Sequence, residues 1–191
     1  MMQSYESALE QMQAVEQLDG WLADCERRGI YIAITHEFVT ALASLLPREA
    51  AILEIGSGDG KLATAMLSAG VRVIATDPTP RAPHVLPLTA AEAVHKFSPN
   101  FVIACFPPLD AGIEADLFRT RSVDSLLYIG PEWNGRIGPD ALWNQNGWTV
   151  TSMPLLDQFL ISRLDYLADF TAATHQRRAG SLLLKRKESS V

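Results

Sequence analysis

Cysteine is scarce in this sequence. Cys25 and Cys105 are the only two, they lie 80 positions apart, and neither belongs to a Cys-x-x-Cys pair. A disulfide scaffold or a structural zinc site needs several cysteines or histidines at short spacing, so both are excluded. No metal-ligand spacing is found among the four histidines, which are His36, His84, His95 and His175. We therefore expect a reducing, cytoplasmic environment and no metal.

Long hydrophobic runs and a surplus of basic charge are also missing. No stretch of about 18 apolar residues occurs, and residues 1–20 are polar and acidic where a secretory signal would be basic and then apolar. The formal net charge of −6 leaves few cations to neutralise phosphates, although five basic residues crowd the C-terminus. We expect no membrane partner and no nucleic-acid partner.

The length and composition of the chain suit one globular domain. A chain of 191 residues that is 48% hydrophobic and 20% charged can bury a sizeable core, and its length favours a single domain over 1–191. Apolar residues recur at three-to-four spacing in 4–28 and 35–46, which predicts amphipathic helices. We expect residues 1–47 to form an N-terminal helical cap or lid over an α/β core at 48–191.

Beyond residue 47, short apolar runs alternate with helical stretches. Such runs suit strands buried on both faces, so the alternation predicts a mostly parallel central sheet with helices on both faces. The predicted strands are 51–55, 71–76, 85–88, 101–105, 126–129, 148–154 and 181–185. The predicted helices are 61–68, 90–97, 113–119 and 140–145. Residues 159–163 compete with 181–185 as the partner of the strand 148–154. We favour 181–185 as the last strand and expect residues 157–178 to form a partly helical excursion before it.

The most informative motif is an apolar strand that runs into three alternating glycines. Glu54 stands two positions before Gly56-Ser57-Gly58-Asp59-Gly60. Glycines let the backbone turn sharply and let a ligand approach closely, and the helix beyond offers free N–H groups. Lys61 stands where a dinucleotide fingerprint needs glycine or alanine, and the phosphate-loop spacing fails as well. The alternative is a plain strand-to-helix turn.

Two further strands end in residues that suit a ligand. Asp77 closes the predicted strand 71–76, 19 residues after Gly58, and its two acceptor oxygens suit the two hydroxyls of a ribose. The strand 101–105 ends in Phe106-Pro107-Pro108 at the edge where open α/β sheets bind ligands. As alternatives, the aspartate forms a turn and the prolines only terminate a strand.

These segments resemble class I S-adenosylmethionine-dependent methyltransferases, and the resemblance implies their Rossmann-like fold. It also implies S-adenosylmethionine as co-substrate, with Glu54 holding the methionine amino group and Asp77 holding the ribose. The implied cofactor-binding residues are Glu54, Gly56, Ser57, Gly58, Gly60, Asp77, Cys105 and Pro107. The chain departs from the amine-methylating pattern at Phe106, where those enzymes carry Asn, Asp or Ser before Pro-Pro.

The resemblance runs from about residue 31 to residue 163 and is to a small, little-characterised subgroup of the superfamily. It rests on residues 31–35, 105–108 and 127–135 in addition to the glycine motif. The candidate catalytic residues are Tyr31, Phe106, Asp110, Trp133 and Asn134. For three of them a structural role is the alternative: Tyr31 packs, Trp133 covers the sheet end, and Asp110 caps a helix.

The resemblance implies that the protein is an S-adenosylmethionine-dependent enzyme acting on a small molecule, most simply a methyltransferase. A first alternative is cyclisation of S-adenosylmethionine itself, which releases methylthioadenosine and yields azetidine-2-carboxylate. An aromatic site built from Tyr5, Trp21, Tyr31, Phe106 and Trp133 would favour it by contact with the sulfonium. A second alternative is a non-catalytic nucleoside-binding module. The acceptor, the pathway and a homodimeric state are left open.

Overall fold

The N-terminal segment of the protein folds into three helices. A computed structural model describes residues 2–15, 20–47, 49–108, 112–167 and 175–187. The helices are α1 (Tyr5–Gln13), α2 (Gly20–Arg28) and α3 (His36–Leu45). The hydroxyls of Ser4 and Thr35 accept backbone N–H groups in the first turns of α1 and α3, which fixes where these two helices begin.

The remaining elements alternate between strand and helix. The first half contains β1 (Ile52–Ile55), α4 (Lys61–Ser68), β2 (Val73–Asp77), β3 (Leu86–Pro87), α5 (Ala90–Phe97), β4 (Phe101–Cys105), α6 (Ile113–Arg119) and β5 (Ser125–Trp133). The second half contains β6 (Arg136–Ile137), α7 (Asp140–Trp143), β7 (Trp148–Ser152), α8 (Pro154–Asp157), β8 (Tyr166–Leu167), β9 (His175–Gln176) and β10 (Ala179–Arg186). Within the described ranges, none of the helices is long and apolar enough to span a bilayer.

The central sheet has the order β3-β2-β1-β4-β5-β10-β7. The five strands from β3 to β5 are parallel, whereas β10 runs antiparallel to both β5 and β7. The predicted mostly parallel sheet is therefore confirmed. β10, which lies between β5 and β7, is the strand predicted at 181–185 and extends over eight residues.

Helices cover both faces of this sheet, as predicted. Alternate residues of a strand point to opposite faces, so neighbours in β1 and β4 join different cores. Ile52 and Ile103 pack with α3, α4 and α8, whereas Leu53 and Val102 pack with α5, α6 and α7. The continuous apolar runs in the sequence reflect this double burial.

The N-terminal segment before β1, called the cap below, packs on residues 160–163 near the C-terminus. Trp21 and Cys25 of α2 lie in a small cluster with Ala8, Ala33 and Ile161. The Trp21 indole Nε1 donates to the Ser162 carbonyl at 2.8 Å, and the Ala33 N–H donates to the Ile161 carbonyl at 2.8 Å. Residues 160–163 therefore connect the cap to the part of the chain that leads into the last strand.

The helical prediction for residues 157–178 is wrong in the described part of that segment, because residues 158–167 and 175–178 contain no helix. The buried carboxylate of Asp165 organises the segment instead. It accepts the N–H of Ser162 at 2.9 Å and the N–H of Arg178 at 2.9 Å, and it lies 3.0 Å from the His175 ring. These contacts join the chain before β8 to β9 and to the residues that follow it. The hydrophobic periodicity of the sequence does not encode them.

Candidate functional site

The topology of the sheet creates a site between β1 and β4. From β1 the chain proceeds to β2 and β3 on one side, and β4 and β5 lie on the other side. Ligands of open α/β sheets bind at the carboxyl ends of the strands where the order reverses in this way. Here that edge brings Gly56, Asp77 and Phe106 together, because they follow or close β1, β2 and β4.

The glycine loop, residues 56–60, has positive φ angles at its three glycines, which residues with a side chain rarely adopt. Gly56, Gly58 and Gly60 have φ angles of 66°, 56° and 69°. This left-handed region costs other residues roughly 1–2 kcal/mol. A Cβ at Gly56 would meet no heavy atom within 4 Å, whereas a Cβ at Gly60 would collide with His84 and Val85. Gly56 is therefore open to a ligand, and Gly60 allows the loop that follows β2 to pack closely.

Glu54 supplies a buried acid beside this loop. Its side chain is 3% exposed, and its Oε2 has no hydrogen-bond partner. Burial raises the pKa of Glu54 to about 8, and a hydrogen bond from Ser57 opposes the shift. The carboxyl group is therefore largely neutral at pH 7. A cationic ligand group beside Oε2 would supply the missing partner and favour the carboxylate.

Asp77 ties the glycine loop to β2. Its Oδ2 accepts the N–H of Gly58 at 2.8 Å, and its Oδ1 accepts the N–H of Thr79 at 2.8 Å. A carboxylate oxygen has two lone pairs, so each oxygen retains an acceptor site for a further donor. Asp77 thus orders the loop and can still accept two ligand hydroxyls.

Two cavities meet over the glycine loop. The cap cavity, of about 300 Å³, lies between the cap and the loop and is lined by Glu54, Ser57 and Cys105 together with cap residues 28–34. The edge cavity, of about 460 Å³, is lined by Asp77 and by other residues at the carboxyl ends of the strands and on α5 and α6. Residues shared by both linings are Tyr31, Gly56, Gly58 and Arg81.

Aromatic side chains stand where β4 ends. Phe106 and Pro107 line the edge cavity, and the Phe106 ring lies 6.1 Å from that of Tyr31. Phe106 has a φ of 51°, a strained value for a residue with a Cβ. Its N–H donates to the Ile129 carbonyl at 2.7 Å, which holds the residue in this conformation. The Arg163 guanidinium stacks on the Tyr31 ring at 4.3 Å.

Cys105 contributes a thiol to the cap cavity. Burial raises its pKa, and the nearby charge of Glu54 acts in the same direction. The thiol therefore stays protonated at neutral pH. Because the thiolate is the nucleophilic form of cysteine, this environment disfavours Cys105 as a nucleophile at neutral pH.

Three predicted site residues do not line the two cavities. Gly60 packs against His84 and Val85, away from both cavities. Trp133 and Asn134 lie in the hairpin between β5 and β6, and neither belongs to the described lining of the cap cavity or the edge cavity. The Trp133 side chain is 59% exposed. A further candidate, Asp110, lies outside the described residues.

Sequence reasoning missed Arg81, Arg28 and Thr89, which all line a cavity. Thr89 is the N-cap of α5 and exchanges hydrogen bonds with Glu92. The spacing Thr-x-x-Glu is a sequence signal for such a cap. Arg81 lies in an irregular loop after β2. Its placement depends on a contact with the glycine loop, for which no local pattern exists.

Comparison with protein-family models and with curated protein sequences finds no match. Solved structures do match. A 1,6-didemethyltoxoflavin-N1-methyltransferase from Burkholderia thailandensis, solved with S-adenosylhomocysteine, is 14% identical, with 80% of this chain and 78% of that chain covered and a TM-score of 0.51. The 23S rRNA methyltransferase ErmE is 12% identical, with 80% and 68% covered and a TM-score of 0.50. The chain has the class I methyltransferase fold.

The class I methyltransferase fold confirms the superfamily resemblance at the level of architecture. The chain spans 63% of the length of a dimethyladenosine transferase from Plasmodium falciparum, covering 82% of its own length at 15% identity and a TM-score of 0.49. At such low identities the comparisons show the fold, and the activity of this chain requires its own argument.

The matches correct one prediction. Low basic charge led us to exclude nucleic acid as a partner, but an enzyme acting on 23S rRNA has the same class I methyltransferase fold. The exclusion is therefore wrong, because this fold serves nucleic-acid acceptors as well as small ones. Net charge describes the whole surface and does not report on the mouth of a single site.

Proposed function

We propose that this protein binds S-adenosylmethionine across the cap and edge cavities and is a methyltransferase. The supporting observation is that the two cavities meet over Gly56 and Gly58, with Glu54 in one and Asp77 in the other. An unpaired buried acid suits the ammonium group of the methionine end. An aspartate with free lone pairs suits the ribose hydroxyls at the nucleoside end.

The remaining cofactor-binding residues follow from this placement. Ser57 and Cys105 would border the methionine end, and Pro107 would border the nucleoside. Gly60 would act indirectly, by letting the glycine loop pack against the loop that follows β2. We further propose that residues 1–47 act as a lid, since residues 28–34 form one wall of the cap cavity.

S-adenosylmethionine supplies a methyl group activated by a sulfonium. Transfer neutralises positive charge, so the protein must mainly align the reactants and exclude water. Tyr31 and Phe106 meet these needs, because their rings lie beside the loop that separates the two cavities and cation–π contact stabilises a sulfonium. A base is needed only when the acceptor loses a proton. The two cavities, of about 300 Å³ and 460 Å³, have the size of small-molecule sites, which favours a small acceptor.

Binding of S-adenosylhomocysteine, measured by isothermal titration calorimetry, tests the proposal. We expect Asp77→Asn to weaken binding by roughly 10-fold or more, because a charged acceptor of two hydrogen bonds is lost. Asp140→Asn is the matched control, since that aspartate is 79% exposed and pairs only with Arg136 in the described part of the chain. A wild-type protein that binds no ligand at millimolar concentration would refute the proposal.

Cyclisation of the co-substrate is a second candidate, and Phe106 is the observation that favours it. The position holds no polar group to grip an amine acceptor, and its ring faces Tyr31. Incubation with S-adenosylmethionine alone, followed by mass spectrometry, separates the candidates. Methylthioadenosine formed without an acceptor indicates cyclisation or lysis. Methylated product from a panel of small molecules and RNAs indicates transfer, and ligand binding without any product indicates a non-catalytic module.

A further inference from the structure

Backbone hydrogen bonds fix the chain around Tyr31. The Arg163 N–H donates to the Tyr31 carbonyl at 3.0 Å, and the Ala33 N–H donates to the Ile161 carbonyl at 2.8 Å. The two stretches run side by side in opposite directions, with an antiparallel bridge between these two bonds. The backbone of Tyr31 is therefore held against that of Arg163, although the two residues are far apart in the sequence.

The Tyr31 side chain is also held, by contacts with a cation and with a second ring. Arg163 Cζ lies 4.3 Å from the centroid of the Tyr31 ring, and the Phe106 ring lies 6.1 Å from it at an angle of 48°. Phe106 is fixed in turn by the bond of its N–H to the Ile129 carbonyl. Tyr31 lines both the cap cavity and the edge cavity. Its ring is therefore part of the wall where the two cavities meet.

The Arg163 guanidinium contacts this ring in place of a hydrogen-bond acceptor. Within the described residues it forms no hydrogen bond or ion pair, and its Nε is buried without a partner. Asp165 is close in sequence, but its oxygens accept two backbone N–H groups and the Ser162 hydroxyl. A guanidinium is weakly hydrated and stacks well on aromatic faces. The interaction of the Arg163 head group with the chain is therefore mainly its contact with Tyr31.

A second stacked pair differs in its surroundings. Arg178 Cζ lies 5.2 Å from the centroid of the Tyr166 ring, and Arg178 Nη2 also donates to the Tyr166 hydroxyl at 3.3 Å. Neither residue belongs to the described lining of the cap cavity or the edge cavity. This pair therefore provides a comparison for the one at Tyr31, with the same chemistry at a position away from both cavities.

We propose that Arg163 is a positioning residue, whose guanidinium holds the Tyr31 ring in place at the junction of the two cavities. The inference rests on the proposed function, in which one ligand occupies both cavities and so passes this ring. A tyrosine side chain that is free to rotate loses that freedom when a ligand packs against it, which weakens binding. With Arg163 in place, the ring is already ordered before the ligand binds.

The first measurement follows the Tyr31 ring in the absence of ligand. The four tyrosines of the full chain are labelled as 3-fluorotyrosine, and the Tyr31 fluorine signal is the one that Tyr31→Phe removes. Arg163→Gln should shift or broaden this signal and leave the signal of the buried Tyr128 in place. Arg178→Gln is the matched control, because it removes a stacked cation from Tyr166 and should leave the Tyr31 signal unchanged.

The second measurement asks whether the effect on binding depends on the ring. By calorimetry, we expect Arg163→Gln to weaken S-adenosylhomocysteine roughly 2- to 10-fold, and Arg163→Lys, which keeps the charge, to weaken it less. In a Tyr31→Ala background, Arg163→Gln should change the affinity by less than about 2-fold, since the ring that it positions is gone. This double-mutant cycle isolates the coupling between the two side chains. Circular dichroism of each variant checks its fold.

Three outcomes would overturn the inference. The first is a Tyr31 signal that Arg163→Gln leaves unchanged, and the second is a Tyr128 signal that moves as much, which would make Arg163 a general structural residue. The third is a loss of affinity for Arg163→Gln that is equally large with and without the Tyr31 ring. A wild type that binds no S-adenosylhomocysteine refutes the proposed function instead, and the fluorine spectra still decide whether Arg163 holds the ring.

Discussion

Two turns at the carboxyl edge of the sheet have similar backbone geometry and different surroundings. The glycine loop has three residues with positive φ, and the hairpin between β5 and β6 has two, Asn134 at 50° and Gly135 at 77°. The glycine loop is tied to the neighbouring β2 by Asp77 and borders two cavities. The hairpin extends from its own strand and exposes Trp133.

The difference shows what a sharp turn needs in order to border a cavity of the kind that we propose as the ligand site. A positive φ allows a close approach of backbone to ligand, but it provides neither walls nor acceptors. In the glycine loop, the next strand provides an acid and the cap provides a wall. At the foot of the hairpin, the Tyr128 ring packs against Gly130 and Gly138, and a Cβ at Gly135 in the turn would meet no heavy atom within 4 Å. Turn chemistry alone therefore does not distinguish a binding loop from a structural one.

The largest effect is expected where the glycine loop is packed most tightly. Gly60→Val places a side chain against His84 and Val85 at a positive φ. Overpacking of this kind costs about 1–3 kcal/mol in addition to the conformational strain. Gly135→Val in the hairpin carries the strain alone, because no heavy atom lies within 4 Å of its Cβ position. Urea denaturation should show a lower free energy of unfolding for Gly60→Val than for Gly135→Val. Equal values for the two variants would contradict the close packing at Gly60.

The next effect concerns Glu54, the buried acid beside the glycine loop. Since the pKa of Glu54 is raised to about 8, the free protein holds this proton at pH 6. An ammonium ligand favours the carboxylate, so binding releases the proton and is weaker at low pH. Affinity for S-adenosylhomocysteine should therefore rise between pH 6 and pH 8, by up to about 10-fold per unit, and level off above that range.

Calorimetry across that pH range measures this dependence. Glu54→Gln removes the titrating group and should give a nearly flat profile. Methylthioadenosine, which lacks the ammonium, should bind with little pH dependence to the wild type. A wild-type affinity for S-adenosylhomocysteine that is constant from pH 6 to pH 8 would show that Glu54 does not contact the ammonium.

A moderate effect should separate the two aromatic residues at this edge. Phe106→Ala removes a ring that lines the edge cavity and faces Tyr31. An aromatic contact of this type contributes about 0.5–1.5 kcal/mol, so affinity for S-adenosylhomocysteine should fall roughly 2- to 10-fold. Trp133→Ala should leave the affinity unchanged, because the ring is exposed on the hairpin. A larger loss for Trp133→Ala would place the hairpin in the ligand site.

The smallest effect is expected at the tip of the hairpin. Asn134→Gly removes a side chain at a φ of 50°, which asparagine tolerates better than most residues. The free energy of unfolding should change by less than about 0.5 kcal/mol, and ligand affinity should not change. Thermal denaturation and calorimetry check both values. A larger stabilisation would indicate that Asn134 is strained at its positive φ, as Phe106 is beside the edge cavity.

Sequence predicted well those parts of the fold that depend on local signals. The bounds of α4, α5, α6 and β4 agree with their predictions, because glycines, prolines and a change of periodicity mark their ends. Glu54 in β1 and Asp77 at the end of β2 lie on paired parallel strands, and their role in binding a ligand stays a prediction. Parallel strands bring their carboxyl ends to one edge, so sequence position translates directly into proximity there.

Features that depend on distant contacts were not predictable. The segment that follows α8 is organised by the Asp165 carboxylate rather than by periodicity. The Tyr128 ring packs against Gly130 and Gly138, two glycines eight positions apart on either side of the hairpin, and this contact has no local sequence signal. Arg81 is positioned by its backbone contact with Gly58 across the loop. In each case one side chain or amide bridges positions that no spacing rule connects.

The carboxylate of Asp165 has a consequence for engineering this protein. It accepts amide protons from Ser162 on one side of residues 168–174 and from Arg178 on the other, while β8 and β9 pair at the base. One buried carboxylate therefore connects Ser162 with Arg178. Any design that cuts or relinks the chain between residues 162 and 178 should therefore keep Asp165, because this one carboxylate holds the segment that contacts Trp21 beside the start of the last strand.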